Sequence, residues 1–126
     1  MTDQPGSRTT SAPVIEIRTY LLKPGERAAY HRILRDEGAP LLEQFGIEVV
    51  AHGPSLLDDD HYFLVRAYPS LAARDAAEAR FYGSAAWRDG PRTAVLSRLI
   101  SYHEIVLPAT PQSISALRAV LAGPAG

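Results

Sequence analysis

Three runs of this chain, "VIEIRTYLL" (14–22), "HYFLVRAY" (61–68) and "LISYHEIVL" (99–107), are largely apolar at both odd and even positions. Successive side chains of a strand point to opposite sides of its sheet, so a strand with one wet face alternates. These runs do not, and they specify a sheet covered on both faces. A fourth run, "IEVVAHGPSLL" (47–57), carries Pro54, which withholds a ladder donor and therefore belongs on a sheet edge or at a bulge. The acidic turn Asp58-Asp59-Asp60 separates it from the next run and predicts a hairpin.

Two helical stretches lie between the strands. The first opens at Pro24, carries Tyr30, Ile33, Leu34, Leu41, Leu42 and Phe45 at helical spacing, and meets a C-terminal cap at Gly46. Gly38-Ala39-Pro40 interrupts it, because Pro40 has no N–H and its ring presses on the preceding turn, so one bent helix is expected. The second follows Ser70, an N-cap, as "LAARDAAEARFY", then breaks at Gly83 before another short helical segment over 91–98.

The order strand, helix, strand, strand, helix, strand is that of a ferredoxin-like split βαβ fold: class α+β, a four-stranded antiparallel sheet with two helices on one face. The other face needs a cover. A tail helix of about twelve residues is too short to shield four strands standing about 4.8 Å apart. A second copy does so, and the expected assembly is a symmetric homodimer whose two sheets stack into a barrel-like core. The domain plan is a disordered polar leader over 1–12, a folded domain over 13–108 and a C-terminal tail helix over 109–126, with Ile114, Leu117, Val120 and Leu121 on one side.

Composition removes several classes of function. The chain has 126 residues, enough for one core, and a net charge of -1 with no block of five like charges, which disfavours a nucleic-acid partner. Lys23 is the single lysine among 13 basic residues, a bias that a GC-rich genome produces without any function. No cysteine means no disulfide, thiolate nucleophile or cysteine zinc site. No segment has the apolar length of a membrane span and the polar start lacks a secretory core, so no membrane partner and a cytoplasmic setting are expected.

Chemistry-bearing residues are few. Alternation places Glu16, Arg18 and Tyr20 on one face of a central strand, where buried charges must find partners: each other, Arg66, Tyr68, His103 or Glu104. Two readings stand open. The triplet is an internal or interface ion pair that fixes register, or it is a pocket wall in which Arg18 holds an anionic group and Tyr20 offers a hydroxyl. Of four histidines, His31 and His61 read as surface or capping groups. His52 and His103 interrupt strands and are the candidate proton carriers, although neither has a second ligand at metal spacing, so no metal is expected. "LLDDDHY" lacks the glycine and distal glutamate of a calcium loop. Ser55, Ser84 and Ser97 have no nucleophile-elbow context, and "HGPS" and "YGSA" lack the spacing of a nucleotide cradle, so no cofactor is expected. "RFYGSAAWRDG" (80–90) gathers Phe81, Tyr82 and the single tryptophan, Trp87, around the Gly83 break. Its rings either fill the core or roof a cavity that takes a flat, apolar molecule, with Arg18, Tyr20, Arg66 or His52 fixing its polar end.

"IEIRTYLLKPGERAAYHRIL", "GAPLLEQFGIEVV", "AYPSLAARDAAEARFYGSAAW" and "SYHEIVLP", in that order, resemble the NIPSNAP family over roughly residues 14 to 107. The resemblance implies a ferredoxin-like protomer and a dimeric α/β barrel. Related folds include cofactor-free monooxygenases, haem-degrading enzymes and small-molecule lyases or isomerases, so it implies no single chemistry. The leading expectation is a homodimer that binds a small apolar or aromatic metabolite between sheet and helices, through Arg18, Tyr20, Arg66, Phe81 and Trp87. The alternatives are a cofactor-independent monooxygenase or isomerase using His52 or His103, and a non-catalytic dimerisation or scaffolding module.

Overall fold

A computed structural model describes residues 12–122. Residues 1–11 of the expected leader and the tail's end, 123–126, lie outside the described residues. Four strands, β1 (Val14–Leu22), β2 (Glu48–Pro54), β3 (His61–Tyr68) and β4 (Leu99–Pro108), form one antiparallel sheet in the order β2-β3-β1-β4. This is the ferredoxin-like order, with β1 and β3 central. Pro54 ends β2 on the edge, where its missing donor costs no ladder bond, and the β2–β3 register shifts between Val49 and Ala51.

The first helical layer begins later than Pro24. Gly25 has φ of 81°, a left-handed conformation that a right-handed helix excludes, so Pro24-Gly25 is a turn and α1 runs Arg27–Ile33. A π-turn at Leu34–Gly38 leads directly into α2, Ala39–Gln44. The Ala39 N–H donates to the Leu34 carbonyl, five residues back. This widened turn is how the helix bends and continues past Pro40 instead of breaking. Gly46, at φ 78°, then closes α2 as the spacing predicts. In the β2–β3 turn, the Asp58 carboxylate accepts from the backbone N–H groups of Asp60 and His61.

The second layer is α3 (Leu71–Tyr82), α4 (Ala85–Arg88) and α5 (Arg92–Leu96). Ser70 and Ser84 each cap a helix, their hydroxyls accepting from Ala73 N–H and Trp87 N–H. Gly83 ends α3, so the chain turns and Trp87 swings back onto Phe81, with ring centroids 5.3 Å apart. Tyr20, Leu22, Tyr62, Leu64 and Tyr68 from the sheet meet Tyr30, Leu34, Leu42, Phe81 and Trp87 from the helices in the main core.

The opposite face is half covered. The last helix, α6 (Pro111–Leu121), lays Ile114, Leu117 and Leu121 on Ile15, Val50, Val65 and Ala67. An Arg118–Glu48 ion pair at 2.5 Å ties it to β2. Val120, expected on the same apolar side, points to solvent instead. The β4 half of that face has no cover among the described residues: Ile105, opposite Ile17, is 54 % exposed and Leu107 is exposed as well.

Candidate functional site

The site grows from β1. Glu16 and Arg18 point toward the helical layer from a central strand, and the register sets Arg66 of β3 opposite Glu16 and Glu104 of β4 opposite Arg18. Glu16 and Arg66 are each wholly buried. One Glu16 oxygen accepts from Arg66 Nε at 2.8 Å, from Arg66 Nη2 and from Arg18 Nε at 3.0 Å; the other accepts from Arg74 Nε at 2.9 Å. Arg18 Nη2 reaches Glu104 at 2.9 Å, and Arg66 Nη2 reaches Glu78 at 3.0 Å. Tyr68 donates to Glu78 at 2.7 Å, and Arg66 Nη1 donates to the Tyr82 hydroxyl at 2.9 Å.

Three carboxylates (Glu16, Glu78, Glu104) therefore meet three guanidiniums (Arg18, Arg66, Arg74), and the cluster is neutral when all are charged. Burial alone would raise the Glu16 carboxyl, but the hydrogen bond with Glu78 and the charges of Arg66 and Arg18 outweigh it and hold it at about 2. Glu78 moves up, first because it is desolvated and then because it shares hydrogen bonding with Glu16. Oxygens of the three carboxylates lie within 4.8 Å of one another, a spacing that a cation could bridge. The interleaved guanidiniums already supply that positive charge, so the three carboxylates are compensated within an ion cluster.

Beside the cluster lies a cavity of about 330 Å³ between the sheet and both helical layers. Arg18 and Arg66 form its polar wall, Tyr20 and Leu64 of the sheet its floor, and Phe81, Tyr82 and Trp87 its roof, with Tyr30, Leu34, Leu42, Val95 and Leu99 around the sides. Arg18 is sandwiched between the rings of Tyr82 and Tyr102, 5.6 and 5.3 Å from their centroids. Burial pushes the Tyr20 hydroxyl well above the ordinary tyrosine range, so it stays protonated.

All five residues expected to hold a ligand, Arg18, Tyr20, Arg66, Phe81 and Trp87, line this one cavity. His52 and His103 do not. His52 faces a different spot, where its Nδ1 and that of His31 lie 2.7 and 2.6 Å from the buried Tyr62 hydroxyl. His103 pairs with Thr19, one residue out of phase with Arg18, and so projects from the opposite face of the sheet. Sequence reasoning missed Glu78 and Arg74, both on α3. The signal was a charge imbalance: Arg18 and Arg66 on the central strands outnumber Glu16, which requires a further carboxylate from the layer above.

Comparison with known proteins agrees with this architecture. A family model described as NIPSNAP matches residues 15–113. No curated protein matches the sequence. Among solved structures, an uncharacterized NIPSNAP-like domain protein from Burkholderia xenovorans superposes with a TM-score of 0.73 at 15 % identity, covering 80 % of this chain and 88 % of its own. A NIPSNAP family protein of unknown function from Agrobacterium tumefaciens C58 gives 0.71 at 23 %, covering 81 % and 95 %. A Bordetella bronchiseptica protein described as a candidate antibiotic biosynthesis monooxygenase gives 0.64 at 20 %, covering 79 % and 98 %.

Proposed function

The chain belongs to the NIPSNAP family, and on that premise we propose that it binds a small, flat or apolar metabolite in the cavity between its sheet and helices, and that it does so as a homodimer. The observation that carries the binding reading is the cavity itself. A domain built only for assembly gains stability by filling such a space with side chains, since interiors pack at close to crystal density. Here Phe81 and Trp87 roof about 330 Å³, a volume at the lower end of small-molecule sites. Aromatic walls and two fixed guanidiniums suit a ligand that is apolar over most of its surface.

The monooxygenase-like neighbour raises a second, catalytic reading, but the proton carriers expected for it are in the wrong place. Neither His52 nor His103 lines the cavity, and a general base must come within hydrogen-bond reach of the proton it takes, directly or through one water. The geometry thus favours binding over chemistry run by either histidine. Homodimerisation is supported by the uncovered β4 half of the rear face, where Ile105 and Leu107, with the partly exposed Ile17 beside them on β1, form an apolar surface.

A thermal-shift screen of flat aromatic and alkyl-chain compounds tests the binding reading. A ligand present at a hundred times its dissociation constant adds about 2.7 kcal/mol to native-state stability, which registers as a rise of several degrees. Val95→Phe, which fills the cavity from its side, should abolish that rise. If no compound stabilises the wild type more than Val95→Phe, the cavity reading fails.

A further inference from the structure

The two arginines of the cavity wall are not available to a ligand's charge. Arg18 is engaged by Glu16, Glu78 and Glu104, and Arg66 by Glu16, Glu78 and the Tyr82 hydroxyl. Drawing either toward a bound anion strips a buried carboxylate of its partner, a loss larger than a new surface-type ion pair returns. The expectation that Arg18 holds an anionic group therefore meets a physical obstacle.

A third arginine also lines the cavity. Arg92, the first residue of α5, is exposed, and among the described residues it has neither an ion-pair nor a hydrogen-bond partner. It stands with Leu96 and Tyr102, 41 % and 50 % exposed, where the lining opens to solvent; the deeper lining of Tyr30, Leu34, Leu42 and Phe81 is buried. The cavity thus has a largely apolar depth, in which the two wall guanidiniums are already neutralised by carboxylates, and one uncompensated positive charge at its mouth.

We infer that the ligand is an amphipathic acid, an aromatic or apolar body carrying one carboxylate, whose body fills the cavity and whose carboxylate pairs with Arg92 at the mouth. This rests on the cavity reading above and adds to it the ligand's charge and orientation. The physical division is favourable on both sides. The apolar body leaves water for a site that needs no counter-charge. The carboxylate stays partly hydrated at the rim, so its desolvation cost is small, and it meets a planar guanidinium fork suited to bidentate pairing. A neutral analogue keeps the first gain and loses the second. A cationic analogue is repelled.

The test compares trans-cinnamate with its uncharged isostere trans-cinnamamide, by calorimetric titration of the full chain as wild type, Arg92→Gln, Arg92→Lys and Val95→Phe. The wild type should bind the acid about fivefold more tightly than the amide, the upper end of what a solvent-exposed ion pair at a rim contributes. Arg92→Gln should erase that preference while leaving amide affinity unchanged, which also reports that the cavity is intact. Arg92→Lys should restore part of it, and added salt should narrow it. Equal affinities on the wild type, or a preference that survives Arg92→Gln, overturn the assignment to Arg92 and leave the cavity reading standing. If neither compound binds, or both still bind Val95→Phe, the cavity reading and this inference fall together.

Discussion

Replacing Glu16 by Gln is the sharpest perturbation of the ion cluster. The side chain is wholly buried, its shape hardly changes, and the loss is one negative charge facing Arg66, Arg18 and Arg74. Two carboxylates would then face three guanidiniums, one of them, Arg66, itself fully buried. In addition, the amide would aim an N–H at a guanidinium that had been donating to an oxygen. Breaking a buried pair from one side costs about 3–5 kcal/mol, against a total of about 5–15 kcal/mol for a domain. With a urea slope of about 1–3 kcal/mol per molar, the unfolding midpoint should fall by about 2 M. Adding Arg66→Met to Glu16→Gln leaves Glu78 and Glu104 against Arg18 and Arg74, neutral again, with an apolar side chain in the buried position. The double variant should therefore recover half or more of the loss, and a double-mutant cycle should show a coupling of about 2 kcal/mol or more. A midpoint shift under about 0.5 M for Glu16→Gln, or a double variant as unstable as the sum of the singles, would refute the claim that charge balance governs this region.

Two other outcomes follow from the remaining parts of the molecule. Burial, and then the nearby His31, lower the His52 pKa, so between its folded and unfolded values the unfolded chain binds more protons; stability should be full above about 6.5 and decline as pH falls below it. Tm measured from pH 7.5 to 5 should show that slope in the wild type and a flatter one in His52→Gln, and equal slopes would remove His52 as its source. On the rear face, Ile105→Glu places a charge on the exposed apolar half; light scattering at micromolar concentration should show a dimer for the wild type and a folded monomer for the variant, and a monomeric wild type would end the homodimer proposal.

How far the sequence carries this molecule depends on whether a feature is local or needs two layers at once. The succession of strands and helices contains the sheet topology and the missing donor of Pro54 places β2 on an edge, but two-sided apolarity does not separate edge from centre: "LISYHEIVL" has it and is the other edge strand, largely exposed. Glu16–Arg18 pairing was legible from side-chain parity: two charges of opposite sign on one face of a central strand must be compensated. Arg74 and Glu78 were not, since an i, i+4 pair in "LAARDAAEARFY" has the pattern of a solvated helix surface, and only the sheet beneath turns it inward. Pro24 suggested a helix start, but the left-handed Gly25 beside it makes a turn, a choice that depends on how β1 hands over to α1. The tail helix was legible as amphipathic. Its seat over β2 and β3, fixed by Arg118 and Glu48, was not, because that ion pair joins residues 70 positions apart. The free Arg92 was invisible for a related reason: an unpaired charge is defined by the partners that the fold does not bring to it.

The cavity carries the account, and Trp87, the single tryptophan, sits in its roof. Titration of its fluorescence with trans-cinnamate therefore asks the question at the site itself. Trp87 emission should change saturably in the wild type and not at all in Val95→Phe; emission that stays constant in the wild type, or that changes equally in the filled variant, would remove the cavity as the binding site.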